Sequence, residues 1–227
     1  WALRHVHSST AFADEFIDCV TKVSEPGLTE WSYNTETAVA APGEPHLLAP
    51  RPGSLIVDGT CGGGGHSEAI LQAGADVLAL DQDPDAVQHA TDNLSRFNGR
   101  VTVRQANFRH ADKIFQDLGI SKIGGALLDL GVSSRQLENA ARGFSVMRNG
   151  PLDMRMDPTS GDPTAAELLT ELSETEIANI IYQLGEERLS RRIARRIVER
   201  REKGTPVTTT GELARLIERS VPRNPKH

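Results

Sequence analysis

The sequence has little of the residues that mark several protein classes. It contains two cysteines in 227 residues, Cys19 and Cys61, which excludes a disulfide framework, and no Cys/His cluster has the spacing of a zinc site. Aromatic residues make up only 4%, so aliphatic side chains must fill most of the core. No apolar run approaches the roughly 18 residues that cross a membrane. We therefore expect no metal site and no membrane partner.

An excess of positive charge is also missing. The formal net charge of −6 excludes a globally basic nucleic-acid binder, although it allows a local basic face. Residues 1–10 lack the charged-then-apolar order of a signal peptide, so the expected location is the reducing cytoplasm. With 38% hydrophobic and 25% charged residues, the chain has the composition of a soluble globular protein of one large or two small domains.

From Pro50 onward, apolar runs alternate with helical patterns. Strands are predicted at 54–58, 76–80, 101–104 and 125–130, with helices at 66–73, 86–94 and 111–118 between them. Such alternation is typical of βαβ units in a parallel sheet, whose strands are buried on both faces. The fold class is therefore α/β. Residues 1–45 are interpreted as an atypical lead-in, in which a helix is predicted at 11–23 and the composition at 25–45 is typical of a linker.

After Ser134 the alternation ends and only helical patterns follow. They cover 163–171, 174–184, 186–203 and 209–219, and Thr208, Thr209 or Thr210 is expected to cap the last helix together with Glu212. The predicted domains are thus the lead-in at 1–45, a nucleotide-binding type of sheet domain at 46–134 and a helical domain at 135–227.

The glycine-rich segment at 59–65 lies between the first strand and the first helix. A cofactor lying across the carboxyl ends of parallel strands requires such a turn, because side chains would block the approach of the backbone. No Lys-Ser/Thr pair follows, which excludes a P-loop. Two alternatives remain open: both dinucleotide and S-adenosylmethionine (SAM) folds place an acid such as Asp81 after the second strand. Asp58, at the end of the first strand, favours a cationic ligand such as SAM over a pyrophosphate.

Eight short motifs in the sequence are more informative than the general pattern of strands and helices. They are DGTCGGGGHS at 58–67, DQDP at 81–84, LDLGVSS at 128–134, RGFS at 142–145, GPLDMRMD at 150–157, GEER at 185–188, RRIA at 191–194 and TTGEL at 209–213. Together they closely resemble the ribosomal RNA small subunit methyltransferase H family, also called the MraW family. The resemblance runs from about Leu47 to His227, and LDLGVSS and GPLDMRMD are its most specific stretches.

The resemblance implies a fold and a reaction. Members have a Rossmann-like, SAM-dependent methyltransferase sheet that carries an all-helical inserted domain. The resemblance thus implies that 46–134 is the N-terminal part of the SAM-binding domain and that 135–227 is the substrate-recognition domain. They methylate the N4 amine of a cytidine in the decoding region of small-subunit rRNA. SAM is therefore the implied cofactor, and rRNA, free or in an assembling small subunit, is the implied partner. An alternative is a SAM- and RNA-binding chain without turnover.

The resemblance also implies site residues. It assigns cofactor contacts to the family's Gly-Gly-His, to the ribose-binding acid, to a phenylalanine beside the adenine and to two further positions. In this sequence these are Gly64, Gly65, His66, Asp81, Phe108, Asp129 and Gln136. Asp58 is also a predicted cofactor contact, because it ends the first strand just before the glycines. Asp129, near the end of the fourth strand, is also the candidate catalytic residue, and Ser133 and Ser134 are candidate base contacts.

RNA binding requires positive charge, and one stretch supplies it. Residues 188–201 contain seven arginines against one acid, Glu199, a formal charge of +6. The spacing of Arg188, Arg192, Arg195 and Arg196 places them roughly on one helical face, where they are the predicted RNA contacts. An ion-paired, solvated face is the alternative. Arg142, Arg148 and Arg155 add basic side chains near the expected site entrance.

Two departures from the family pattern accompany the resemblance. The family's His-x-Pro-Val-Leu-Leu-x-Glu segment is missing before the first strand, and the sequence ends at His227 before the remaining strands of the usual sheet. We expect a fragment or truncated gene product with an incomplete sheet. Such a chain is expected to be less stable than a full-length relative, to self-associate, and to transfer methyl groups slowly if at all.

Overall fold

The computed structural model of the chain describes Leu48 and residues 50–220. These residues fall into two compact units, one ending at Leu130 and the other beginning at Gly131. The predicted boundary after residue 134 lies four residues later. The predicted helix at 11–23 and linker at 25–45 lie outside the described residues.

The first unit is a parallel sheet with connecting helices. Its strands are β1 (Leu55–Asp58), β2 (Asp76–Asp81), β3 (Val101–Gln105) and β4 (Gly125–Leu127), and its helices are α1 (Gly65–Gln72), α2 (Pro84–Leu94) and α3 (Ala111–Leu118). The strand order is β3-β2-β1-β4, and every pairing is parallel. The predicted α/β class and the four parallel strands are confirmed. Because all strands run the same way, their carboxyl ends share one edge of the sheet.

Burial on both faces explains the continuous apolar runs of the central strands. In β2, Leu78 and Leu80 pack into the core on one face, whereas Val77 and Ala79 pack into the core on the other. Successive side chains of a strand point to opposite faces, so one strand supplies both cores. β4 is shorter than the predicted 125–130, and Asp129 therefore lies in the loop that follows the strand.

The second unit is helical. It contains α4 (Ser134–Glu138), α5 (Ala165–Glu171), α6 (Glu174–Gln183), α7 (Ser190–Glu202) and α8 (Thr210–Ser220). The four helices predicted after residue 134 are present, and α4 was not predicted. No helix in the described part of the chain is long and apolar enough to cross a membrane.

The start of α7 differs from the prediction. The helix begins at Ser190, not at residue 186, because the preceding residues reverse the chain. Glu186 has a left-handed φ of 51°, and a side chain on Gly185 would lie 2.7 Å from the carbonyl of Ile181. Arg188, expected on the helix, therefore lies in the turn before it.

Helix ends in this unit are closed by side chains. Ser133, Thr164 and Ser173 each form a reciprocal capping box with the third residue of the helix that follows. At α8, Thr209 is the threonine whose hydroxyl accepts from the Glu212 amide, at 3.3 Å, and the Glu212 carboxylate accepts from the Thr208 amide at 3.0 Å. The expected capping of this helix is confirmed.

Candidate functional site

The glycine-rich turn that leaves β1 presents bare backbone. Gly62 and Gly64 have left-handed φ angles of 51° and 88°, which glycine adopts without strain. A side chain added at Gly62, Gly63 or Gly65 would meet no heavy atom of the described residues within 4 Å. The turn is thus open on the side where these glycines face, and a ligand could lie directly against its backbone.

Glycine is needed at position 59 for a different reason: it allows the end of β4 to approach the turn closely. A Cβ there would lie 2.5 Å from Cδ2 of Leu128. The Gly59 amide donates to the Leu127 carbonyl at 2.9 Å, and the Asp129 amide donates to the Thr60 hydroxyl at 2.7 Å. These two hydrogen bonds tie the end of β4 to the turn. Thr60 is a positioning residue that the sequence reasoning missed, although it lies inside the first motif.

Asp81 holds the other side of the turn. Its Oδ2 accepts from the Gly62 amide at 2.8 Å, and its Oδ1 accepts from the Asp83 amide at 2.9 Å. The two oxygens of a carboxylate together accept about four hydrogen bonds, so Asp81 retains capacity for a ligand. The side chain is half-buried, and this burial raises the pKa of Asp81 above its usual range despite backbone hydrogen bonds from Asp83, Gly62 and Gln82.

Asp58 is fully buried beneath the turn. Its Oδ2 accepts from the Ser67 hydroxyl at 2.7 Å, and its Oδ1 accepts from the Thr60 amide at 3.3 Å. Burial raises the pKa of Asp58 from 3.8 to about 6, because desolvation outweighs the hydrogen bonds that favour the carboxylate. In this arrangement Asp58 orients the turn and the first turn of α1 from below. Ser67 is a second partner that the sequence reasoning missed.

The remaining predicted residues of the first unit lie along the same edge. Gly64 precedes α1, Gly65 begins it, and His66 is half-buried in its first turn, near enough to Asp58 to lower the pKa of that carboxyl electrostatically. Phe108 opens a short 3₁₀ turn after β3 and is only 7% exposed. Its ring packs in the core with Val57 and Leu80. The structure thus brings these residues to the carboxyl edge of the sheet.

Asp129 is exposed in the loop after β4, and its carboxylate makes no hydrogen bond to residues in the described ranges. Its backbone position is fixed by Thr60, as described above. The candidate catalytic carboxylate is therefore held in place through its amide and remains open to a substrate.

Gln136 belongs to the second unit, where it is 8% exposed. Its Oε1 accepts from the Ser133 amide at 2.9 Å, and its Nε2 approaches Sδ of Met156 at 3.5 Å. The Ser133 hydroxyl accepts from the Gln136 amide, so this serine caps α4. Gln136 thus links α4 to the GPLDMRMD stretch.

The predicted RNA-binding arginines differ in their surroundings. Arg195 pairs with Glu174 at 3.6 Å, and Nη1 of Arg196 donates to the Arg219 carbonyl at 2.7 Å. Arg201 uses its Nη1 to bind three carbonyls at the end of α5, those of Leu169, Thr170 and Leu172. The arginines of this stretch therefore include side chains that stabilise the helical unit.

Of the four remaining arginines in the stretch, Arg200 is half-buried and pairs with Glu212 at 3.6 Å, and the other three are open to solvent. Arg188, Arg191 and Arg192 are exposed and have no ion pair or hydrogen-bonding partner within the described residues. Among the other basic residues, Arg155 forms a bidentate pair with Asp153. The group of arginines without described partners, at the start of α7, is thus smaller than the seven arginines that the sequence places at 188–201.

Comparison with known proteins decides the family. The profile of the MraW methylase family matches residues 38–227. The chain belongs to the MraW methylase family. The match includes the glycine-rich turn, Asp81, Asp129 and the whole described helical unit.

Curated relatives in this MraW family carry the name ribosomal RNA small subunit methyltransferase H. The relative from Carboxydothermus hydrogenoformans is 49% identical over 181 residues, which are 78% of this chain and 58% of the relative. The relative from Anaeromyxobacter sp. strain K is 48% identical over 177 residues, 78% of this chain and 56% of the relative. The relative from Brevibacillus brevis is 48% identical over 175 residues, which are 76% of this chain and 55% of the relative. The chain thus spans a little over half the length of the curated relatives it matches.

Proposed function

We propose that this chain takes part in SAM-dependent methylation of the N4 amine of a cytidine in the decoding region of small-subunit rRNA. The observation that carries this proposal is the open glycine-rich turn, held between Asp81 and Thr60 at the carboxyl edge of a parallel sheet, in a chain of the MraW family. The names of the relatives support rRNA as the substrate. The cytidine and its N4 atom follow from the motif resemblance.

The charges at this edge fit SAM better than a dinucleotide. Asp58, Asp81, Asp83 and Asp129 all lie at or just after the strand ends. A group of carboxylates in a poorly solvated edge attracts a cation and repels a pyrophosphate. SAM carries an ammonium and a sulfonium, so both of its positive charges are compatible with this site. Within the described residues, no cluster of His, Cys, Asp and Glu could hold a metal ion.

The proposed cofactor contacts follow the geometry of the edge. Asp81 would accept the ribose hydroxyls with its remaining lone pairs, and Gly64, Gly65 and His66 would lie against the cofactor. Phe108 would present an edge of its mostly buried ring to the adenine. Asp58 would act from below the turn, through Thr60 and Ser67. Gln136 is proposed as a further cofactor contact because the motif resemblance assigns it that role.

The proposed role of Asp129 is to accept a hydrogen bond from the target amine. The N4 lone pair of cytosine is delocalised into the ring, so the amine is a poor nucleophile. An acceptor on its N–H bond increases the nucleophilicity and helps to remove the proton. SAM, when bound, supplies the electrophilic methyl group. The exposed carboxylate of Asp129, on a backbone fixed by Thr60, is suited to hold the amine in place.

We propose that the exposed arginines at the start of α7 bind the phosphates of the RNA. Arg188, Arg191 and Arg192 offer guanidinium groups that are not engaged by described residues, and Arg195 adds charge although it pairs with Glu174. Arg196 would contribute less, because its Nη1 already donates to a carbonyl. Phosphate contacts of this kind give affinity and register without reading sequence.

Replacing Arg188, Arg191 and Arg192 by glutamine is expected to weaken RNA binding and to flatten its salt dependence. Each lost phosphate contact lowers the slope of log K against log salt by about 0.7 for single-stranded RNA, so the total change is about 2. SAM affinity should stay unchanged. Titrations of labelled rRNA at several salt concentrations measure the slope.

Arg201→Gln is the control for this experiment, since Arg201 holds the end of α5. It should lower the thermal stability and leave the salt slope of the folded protein unchanged. If the triple variant kept the wild-type slope, the exposed arginines would be only a solvated face.

Mass spectrometry of rRNA incubated with this chain and isotope-labelled SAM tests the proposed function. Transfer by this chain is expected to be slow, and a labelled methyl group on N4 of one cytidine that disappears in Asp129→Ala would support the proposal. The alternative, binding of SAM and RNA without turnover, is favoured by one observation: within the described residues β4 pairs on one side only. SAM and RNA affinity without label would support that alternative, and a label on another base would contradict the N4 assignment.

A further inference from the structure

The loop from Arg142 to Gly150 exposes two adjacent apolar side chains at its tip. Met147 is 90% exposed, more than the other exposed large apolar side chains of the described residues, and Val146 is 60% exposed. Isolated exposed apolar side chains are common on protein surfaces. The unusual feature here is that this tip lies on a loop whose two ends are firmly anchored.

Buried groups anchor the first half of the loop. The Arg142 side chain is 8% exposed, and its Nη2 donates to the carbonyls of Arg155 at 3.1 Å and Met156 at 2.8 Å. Its guanidinium lies 5.9 Å from the ring centre of Phe144, which is 4% exposed. A side chain on Gly143 would lie 2.5 Å from the Pro151 carbonyl, so the loop approaches the GPLDMRMD backbone closely.

The tip and the second half are also held by hydrogen bonds. The Ser145 hydroxyl accepts from the amides of Met147 and Arg148, both at 3.2 Å. The Gly150 amide donates to the Thr210 hydroxyl at 3.3 Å. The side-chain Oδ1 of Asn149 accepts from the Gly211 amide at 2.9 Å, at the start of α8. The backbone at Met147 is therefore fixed from both sides.

A basic side chain accompanies this apolar tip. Arg148 follows Met147 directly, is exposed, and donates from Nη1 to the Glu138 carbonyl at 3.0 Å, which leaves its other N–H groups available. The sequence has no acid between Glu138 and Asp153. An apolar tip beside a guanidinium, on a stretch of chain without acids, matches a partner that has flat apolar bases and negatively charged phosphates.

We propose that Val146 and Met147 form a wedge that enters a base step of the RNA substrate, while Arg148 binds the adjacent phosphate. The inference rests on the proposed function, because a base must leave its stack before its amine can reach a methyl donor in a protein pocket. Apolar side chains, methionine among them, are used in this way to unstack neighbouring bases. An anchored backbone is what such a wedge requires, because a loose loop would yield to the stacked bases.

A fluorescent RNA tests the wedge with the chain as it exists. The probe is a hairpin with the decoding-region sequence that carries 2-aminopurine beside the target cytidine, whose fluorescence rises when the base unstacks. Saturating wild-type protein should raise the fluorescence. Met147→Ser should reduce this rise at least about threefold, with a smaller change in RNA affinity, whereas Met147→Leu should retain it. Because Met147 is exposed, neither substitution should lower the melting temperature.

Ile180→Ser is the matched control, since Ile180 is an apolar residue that is 44% exposed on α6. It should leave the fluorescence rise unchanged. An equal rise with wild type and Met147→Ser, or an equal loss with Ile180→Ser, would overturn the wedge. The wedge would also be overturned if Met147→Ser behaved as wild type with the RNA hairpin but bound whole small subunits more weakly, since the tip would then contact a protein. If unstacking depends on Met147 but no methyl is transferred, the wedge stands and the proposed activity fails. If the chain binds no RNA, both fail.

Discussion

Replacing Asp81 by alanine is expected to weaken SAM binding by about 1.5–3 kcal/mol, roughly ten- to 150-fold. The substitution removes the proposed acceptors of the ribose hydroxyls. It also removes the partner of the Gly62 amide, which Asp81 Oδ2 holds at 2.8 Å, so the turn loses its support on the β2 side. Asp81→Asn retains one acceptor oxygen and should cause a smaller loss. Isothermal calorimetry with SAM measures both affinities.

Asp76→Asn is the matched control, because Asp76 begins the strand that Asp81 ends. Asp76 pairs with Arg100 at 3.3 Å at the opposite edge of the sheet. Its substitution should leave the SAM affinity unchanged. Thermal melting of each variant without ligand separates loss of the fold from loss of the site. An Asp81→Ala variant that is folded and binds SAM with wild-type affinity would remove Asp81 from the site.

The fold of the first unit was predictable because its strands are buried on both faces. Runs such as Ile56–Val57 and Val77–Leu80 have no polar interruption, and each ends at an acid, as the carboxyl ends of strands in this type of sheet often do. The last strand was predicted too long, because Leu128 and Leu130 continue the apolar pattern. They pack partly buried against the core from the loop, so apolar content alone does not mark the end of hydrogen bonding.

Two parts of the candidate site were outside the reach of sequence patterns. The arginines of α7 have similar spacing, yet Arg201 binds carbonyls of α5 and Arg192 faces solvent. Their difference depends on which helix packs alongside, and periodicity does not contain that information. Asp58 was predicted as a ligand contact from its place before the glycines. In the folded turn it is fully buried and accepts from the Ser67 hydroxyl and the Thr60 amide, which no sequence pattern reveals.

This burial of Asp58 links stability, pH and cofactor binding. The folded-state pKa of about 6 lies above the ordinary value of 3.8, so between these pH values the folded protein retains a proton that the unfolded chain releases. The stabilisation from that proton is fully present below pH 3.8 and is lost as the pH rises through about 6. A bound cation such as SAM would favour the carboxylate, so SAM affinity should fall as the pH drops below about 6.

Asp58→Asn is therefore expected to become more stable relative to wild type as the pH rises. Asparagine has no charge to desolvate, and its amide and carbonyl can still pair with Ser67 and Thr60. Its advantage in the free energy of unfolding should grow by about 2–3 kcal/mol between pH 4 and pH 8. Denaturant unfolding at several pH values measures this difference.

The same variant should bind SAM more weakly at pH 8, and its affinity should lose the pH dependence near 6. Stability and cofactor binding thus change in opposite directions, which a merely structural role of Asp58 would not produce. Asp153→Asn is the control, because the pKa of Asp153 is shifted in the opposite direction. The pKa of Asp153 is lowered by its hydrogen bond to Arg155, so its contribution to stability is present at neutral pH and lost in acid. If Asp58→Asn followed the wild-type pH profile in both measurements, Asp58 would be ionised throughout and its burial would not govern the site.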